Sequence, residues 1–187
     1  MSKGLSFNRR RRRITKQMKI KFAIRAAITI AVVLLGVAIT LAFGRRVKVS
    51  DSAMNPSLEM GQTLMIDTLS YKFLSPKADD IVVFAPNGSE RVADFTRRIL
   101  AVPGDTVRIY KGKLIINDYE VRDAFSETPI ENPGTFEKEV KLGENQYFLM
   151  GDNRNNSEDS RFESIGLISK EEIIGKVWLR VWPFSFM

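Results

Sequence analysis

Gly151-Asp-Asn-Arg-Asn-Asn-Ser-Glu-Asp-Ser-Arg161 follows directly on Tyr147-Phe-Leu-Met150, so a short apolar strand runs into an eleven-residue polar loop. The loop's glycine, asparagines and opposite charges suit it to holding strand ends together. Further strands lie on either side of it. Asp80-Ile-Val-Val-Phe84, Thr106-Val-Arg-Ile-Tyr110 and Lys113-Leu-Ile-Ile-Asn117 are β-rich runs, punctuated by Pro86-Asn-Gly88, Pro103-Gly104 and Lys111-Gly112. Tyr110 to Leu114 reads as a hairpin, because Val107, Ile109, Leu114 and Ile116 alternate on either side of the turn. Val177-Trp-Leu-Arg-Val-Trp182 reads as a last strand stopped by Pro183, with Trp178, Trp182 and Phe184 read as core in preference to interfacial anchors. Ser169 and Glu172 stand at capping-box spacing, which predicts one helical turn. Ser126 to Lys138 carries two prolines and one glycine and reads as an exposed excursion. The expected fold class is mainly β, one domain over residues 44–187.

The composition excludes several chemistries. The chain has 187 residues and neither cysteine nor histidine. Disulfides, thiolate nucleophiles, Ser-His-Asp catalysis and ordinary zinc sites are therefore absent, and no metal or cofactor is expected. Any nucleophilic hydrolysis needs a lysine or carboxylate base. The net charge of +7 is unevenly spread: residues 1–43 carry ten Lys/Arg and no acid, whereas residues 44–187 carry nineteen against all 22 Asp/Glu. A basic footprint confined to one end argues against a nucleic-acid partner.

That basic end precedes Ala26 to Phe43, an uncharged run of 18 residues. As a helix it spans about 27 Å, close to the hydrocarbon thickness of a bilayer. Arg9 to Arg13, Lys16, Lys19, Lys21 and Arg25 precede it, and only Arg45, Arg46 and Lys48 follow closely. The expectation is a basic cytoplasmic tail over 1–25, a single transmembrane helix over 26–43, and an extracytoplasmic domain over 44–187 of a cell-membrane protein. The arginine run is suited to anionic membrane lipid. A cleaved secretory signal is the competing reading, disfavoured by the run's length and by Arg45-Arg46 at its end.

Four segments in order resemble the bacterial type I signal peptidase family. Ser52-Ala-Met-Asn-Pro-Ser-Leu58 is similar to Ser-Met-x-Pro-Thr-Leu, and Asp79-Asp-Ile-Val-Val-Phe84 to Gly-Asp-Ile-Val. Arg97-Arg-Ile-Leu-Ala-Val-Pro-Gly-Asp105 resembles Lys-Arg-Val-Ile-Gly-Leu-Pro-Gly-Asp, and residues 151–161 fit Gly-Asp-Asn-Arg-x-x-Ser-x-Asp-Ser-Arg at every fixed position. The resemblance implies a β domain shared with self-cleaving repressors and a serine–lysine dyad that cleaves signal peptides from secreted precursors. The lysine must be desolvated to act as a neutral base.

This chain departs at both catalytic positions. Ala53 stands at the nucleophile position and Arg97 at the general-base position. A methyl group cannot attack, and guanidinium stays protonated. Asp51 and Ala101 depart as well, Asp51 near the oxyanion site, where a carboxylate opposes developing negative charge. Four departures, where one substitution suffices to trap a protease, read as natural degeneration in preference to engineered inactivation. Ser157 matches the hydroxyl that orients the lysine, and Asp159 and Arg161 match a structural ion pair. Met54, Pro56 and Leu58 are read as pocket wall or membrane-proximal apolar surface, with Met54, Pro56 and Asp51 as substrate-binding candidates. Asp51 is expected to pair with Arg97. Ser52 is the possible substitute nucleophile, poorly placed if the stretch is extended.

The leading expectation is a catalytically degenerate signal peptidase homologue that binds secreted precursors or signal peptides, or assists surface-protein assembly partners at the membrane. The alternatives are an active serine endopeptidase using Ser52, and a membrane adaptor with a vestigial groove whose 126–138 excursion binds a partner.

Overall fold

The structure, a computed structural model, describes residues 16–43, 45–86, 95–121, 128–181 and 185–187. Arg9–Arg13, Asn87, Gly88, Trp182 and Phe184 lie outside the described residues. The chain divides into two compact units, Met1–Thr40 and Leu41–Met187.

The first unit carries helix α1, Lys16–Phe43. It begins ten residues before the uncharged run, because Lys16 to Arg25 contains neither proline nor glycine to stop it. Within it the 23 residues Gln17–Ile39 include an 18-residue window of mean hydropathy 2.5, none of it buried by protein. By length and composition this helix can cross a membrane.

The second unit is built from two antiparallel sheets. β1 (Arg45–Lys48), β2 (Thr63–Asp67), β10 (Ile173–Arg180), β3 (Ile81–Phe84), β4 (Phe95–Ala101) and β9 (Phe148–Met150) lie in that order in the larger sheet, with β11 (Ser185–Phe186) also on β10. The smaller sheet runs β7 (Tyr119–Glu120), β6 (Lys113–Ile116), β5 (Thr106–Tyr110), β8 (Val140–Lys141). A one-turn helix α2, Ser70–Phe73, follows β2. The fold is mainly β, as the strand patterns lead one to expect.

Local sequence explains most of these elements. In the β5–β6 hairpin Tyr110 pairs with Lys113 across Lys111 (φ 49°) and Gly112 (φ 76°), the two positive-φ residues of a tight hairpin turn. Along β10 burial alternates, with Ile173, Gly175, Val177 and Leu179 inward. This strand begins four residues before the expected Val177, directly after a capped turn. There the Ser169 N–H and hydroxyl both donate to the Glu172 carboxylate, 2.7 Å each. Trp178 is half-buried beside Phe186, ring centroids 6.2 Å apart, and so is not a core residue.

Most described residues of the expected excursion are exposed, and the structure corrects the reading at two of them. Ile130 and Phe136 are buried, 6% and 2% exposed, in the cluster that joins Ala101, Phe148 and Met150 to the small sheet. Phe136 packs on Phe148 at 4.5 Å between ring centroids. Gly134 (φ 55°) lies so close to the Arg161 backbone that an added Cβ would fall 2.1 Å from its carbonyl oxygen. The described part, 128–138, is therefore pinned to the domain.

Candidate functional site

The residues from Ser52 to Leu58 form a turn, not an extended strand. The Asn55 N–H donates to Ser52 O (3.1 Å) and the Leu58 N–H to Met54 O (2.9 Å), and the Asn55–Pro56 peptide is cis. Met54 and Leu58 are wholly buried against Leu64, Ile66 and Val177. Their role is therefore to anchor the turn, which corrects their reading as pocket wall or membrane-proximal surface. Pro56 is exposed, and neither it nor Met54 lines the cleft described below. Ala101, the other departure, is core.

The polar loop docks onto this turn backbone to backbone. The Asn153 N–H donates to Ala53 O at 2.8 Å. A Cβ on Gly151 would fall 2.4 Å from Ser157 Oγ and 2.5 Å from Ala53 O, so only glycine permits the approach. The loop in turn is held by Asp159 and Arg161, both buried. Arg161 Nε and Nη2 donate to the two carboxylate oxygens at 2.8 and 2.9 Å. Arg161 also donates to the Arg154 and Asn132 carbonyls, and Gly151 N–H to Asp159 Oδ2. A buried pair is tolerable when its remaining hydrogen-bonding capacity is met in this way.

Strand β4 supplies the cation. It pairs with β3 and β9, Arg97 opposite Val82 and Arg98 opposite Ile81 and Met150. Successive side chains of a strand point to opposite faces. Arg98 pairs with buried Asp152 (2.9 and 2.7 Å), a partner that sequence reasoning missed although it lies in the quoted loop. Arg97, 1% exposed, reaches Asp51 instead: Nη1 donates to Oδ1 at 3.2 Å and Nη2 to Oδ2 at 2.9 Å. The Arg97 Nε donates to Glu158 O (2.9 Å) and Nη1 also to Thr96 O (2.7 Å). The expected pairing of Asp51 with Arg97 is thus made, and with both prongs.

Asp51 holds a third donor. The Ala53 N–H donates to Asp51 Oδ1 at 3.1 Å. On the expectation that Ala53 stands at the nucleophile position, whose backbone N–H commonly serves the oxyanion hole in serine hydrolases, that donor is already bound to a negative charge. Asp51, Ser52, Ala53, Arg97 and Ser157 all line one open cleft of about 480 Å³, flanked by Phe95 and Phe162. The Ser52 Oγ accepts from Asn156 Nδ2 at 3.1 Å, so Ser52 shares the cleft with Ala53 rather than facing away. The Ser157 Oγ is buried without a hydrogen-bond partner among the described residues. Lys48, Lys72 and Lys77, lysines that could in principle supply an amine base in place of residue 97, are exposed, and none lines the cleft.

This architecture can be placed among known proteins. Residues 20–182 match the family described as signal peptidase, peptidase S26. The chain belongs to that family. It is 33% identical over 156 residues to the probable signal peptidase I-2 of Synechocystis sp., covering 78% of this chain and 69% of that protein. Identity to the signal peptidase I of Leptolyngbya laminosa is 30% over 163 residues, 81% and 78% of the two chains. A crystal structure of a signal peptidase I from Enterococcus faecalis V583 aligns with a TM-score of 0.44 at 23% identity, over 55% of this chain and 97% of that one. The chain is thus a signal peptidase I homologue, and the family's substrates are signal-peptide-bearing precursors.

Proposed function

We propose that this family member is catalytically degenerate and acts by binding precursors or signal peptides at the membrane, or by assisting the assembly of surface proteins there. The observation that carries the reading is the Asp51–Arg97–Ala53 cluster. Position 53 carries no side-chain oxygen, position 97 carries a guanidinium locked into an ion pair, and the Ala53 N–H is bound to the Asp51 carboxylate. Loss of the nucleophile alone costs on the order of 10⁶ in turnover in a comparable serine hydrolase. The open cleft supports retention of peptide binding. A peptide added as a strand is the expected mode. Helix α1 is assigned as an uncleaved single-pass anchor in membrane lipid, with the basic N-terminus cytoplasmic and the β domain outside.

Ser52 supports a second reading, an active endopeptidase, because its hydroxyl lines the same cleft. A shared assay separates the two. Purified full-length protein in detergent is incubated with a precursor carrying a small-x-small site, beside Ser52→Ala and an Ala53→Ser/Arg97→Lys/Asp51→Ser variant. The degenerate reading expects no cleavage by the parent, binding of precursor, and cleavage by the triple variant. Parental cleavage that disappears in Ser52→Ala overturns it in favour of the enzyme.

A further inference from the structure

The three donors around Asp51 form a receptor for a carboxylate, filled in this structure by the protein's own side chain. The Arg97 fork supplies two N–H groups and Ala53 supplies a backbone N–H, at 2.9, 3.2 and 3.1 Å from the two oxygens. Planar bidentate guanidinium with one added amide is a geometry suited to any carboxylate, not to aspartate alone.

The receptor is built in and the occupant is not. Arg97 is 1% exposed and is held by the Glu158 and Thr96 carbonyls independently of Asp51. Ala53 is 2% exposed and its carbonyl is fixed by the Asn153 N–H. The Asp51 side chain, by contrast, is 35% exposed and opens on the cleft. Its removal leaves a buried cation and an amide donor facing a peptide-sized opening. Ser157 also lines the opening, and its buried hydroxyl has no partner among the described residues. Among the described residues lining the opening, the one carboxylate besides Asp51 is Glu158, which accepts from Ser164 Oγ at 2.8 Å.

We infer that the cleft binds peptides through a free C-terminal carboxylate, which takes the place of Asp51 on Arg97 and Ala53. Asp51 acts as an intramolecular competitor that weakens binding until it is displaced. The ligand class is then a peptide already ending in a carboxylate, such as a cleaved signal peptide or the C-terminus of an assembling partner. This rests on the proposed peptide-binding reading and deepens it: the position that would have cut a peptide now holds a cut end.

Competition from a tethered carboxylate acts at a high effective concentration, so relieving it has a large effect. The test uses a fluorescein-labelled octapeptide ending in Ala-Ser-Ala, as free acid and as C-terminal amide. Binding to the full chain in detergent is followed by fluorescence anisotropy. Asp51→Ala is expected to bind the free acid at least about tenfold more tightly than the parent does, and about tenfold more tightly than it binds the amide. Asp51→Ala/Arg97→Gln is expected to lose the acid-over-amide preference. If Asp51→Ala loses its cooperative melt, Asp51→Asn carries the comparison, since a neutral carboxamide competes weakly for a guanidinium. Equal binding of acid and amide by the Asp51 variant overturns the inference and leaves the peptide-groove reading standing. No binding of either peptide by any variant overturns both.

Discussion

Asp51 and Arg97, 46 residues apart in the chain, meet as a two-pronged ion pair whose arginine is 1% exposed and whose aspartate side chain is 35% exposed. The asymmetry sets the energetics. The exposed side of the pair is screened by water, and Arg97 keeps two carbonyl partners when Asp51 is removed. Asp51→Ala is therefore expected to cost about 2 kcal/mol, less than the roughly 3–5 kcal/mol lost on breaking a fully buried pair. Arg97→Ala, which strands the Glu158 and Thr96 carbonyls and leaves a void, should cost more. Urea titrations of the two variants in detergent check the order, and equal losses would count against it.

The same pair predicts how hard catalysis is to rebuild. A lysine placed at position 97 beside the Asp51 carboxylate is held protonated, because a nearby opposite charge favours the charged form. The Ala53 N–H also remains occupied by Asp51. Ala53→Ser/Arg97→Lys is therefore expected to cleave precursor at least about a hundredfold more slowly than the triple variant that also carries Asp51→Ser, since one oxyanion donor is worth that factor. Comparable rates for the double and triple variants would remove Asp51 from this role.

How far the site was legible in the sequence follows from the range of the interactions. Strand alternation around Lys111-Gly112 and the Ser169–Glu172 cap are local, and the β5–β6 hairpin and the capped turn form where those signals lie. Asp51 and Arg97 were legible as partners only because the resemblance placed both beside one catalytic centre. The turn at 52–58 was not legible. Its apolar residues Met54 and Leu58 are four apart, and the packing of both against β2 and β10 decides the conformation. Proline, glycine and charge suggested solvent for 126–138, while Ile130 and Phe136 are fixed by contacts more than ten residues away in sequence. Nothing periodic announces such contacts.

Gly151 ties the loop to the turn. A methyl group there would lie 2.4 Å from Ser157 Oγ and 2.5 Å from the Ala53 carbonyl, and neither backbone can retreat without breaking the Asn153–Ala53 hydrogen bond. Gly151→Ala is expected to cost about 2 kcal/mol through overpacking and to weaken peptide binding at the cleft. A thermal melt and the anisotropy titration report the two effects. An unchanged melt would mean that the loop shifts freely, contrary to the packing.

Tyr71 is buried, and its hydroxyl donates to Asp80 Oδ2 at 2.7 Å, with Lys176 Nζ on the other Asp80 oxygen at 2.6 Å. Burial first, then the hydrogen bond and charge of Asp80, push the phenol well above its ordinary value near 10. The folded state thus binds the tyrosine proton more tightly than the unfolded state does. The resulting stability is fully present below about pH 10 and is lost as pH rises from there toward the folded value, by about 1.4 kcal/mol per pH unit. Tyr71→Phe has no such proton to lose. The stability difference between parent and Tyr71→Phe should be constant from pH 8 to about 9.5 and shrink above pH 10, read from urea midpoints at each pH. A difference that stays constant through pH 11 would show that the tyrosine proton is not held as the geometry requires.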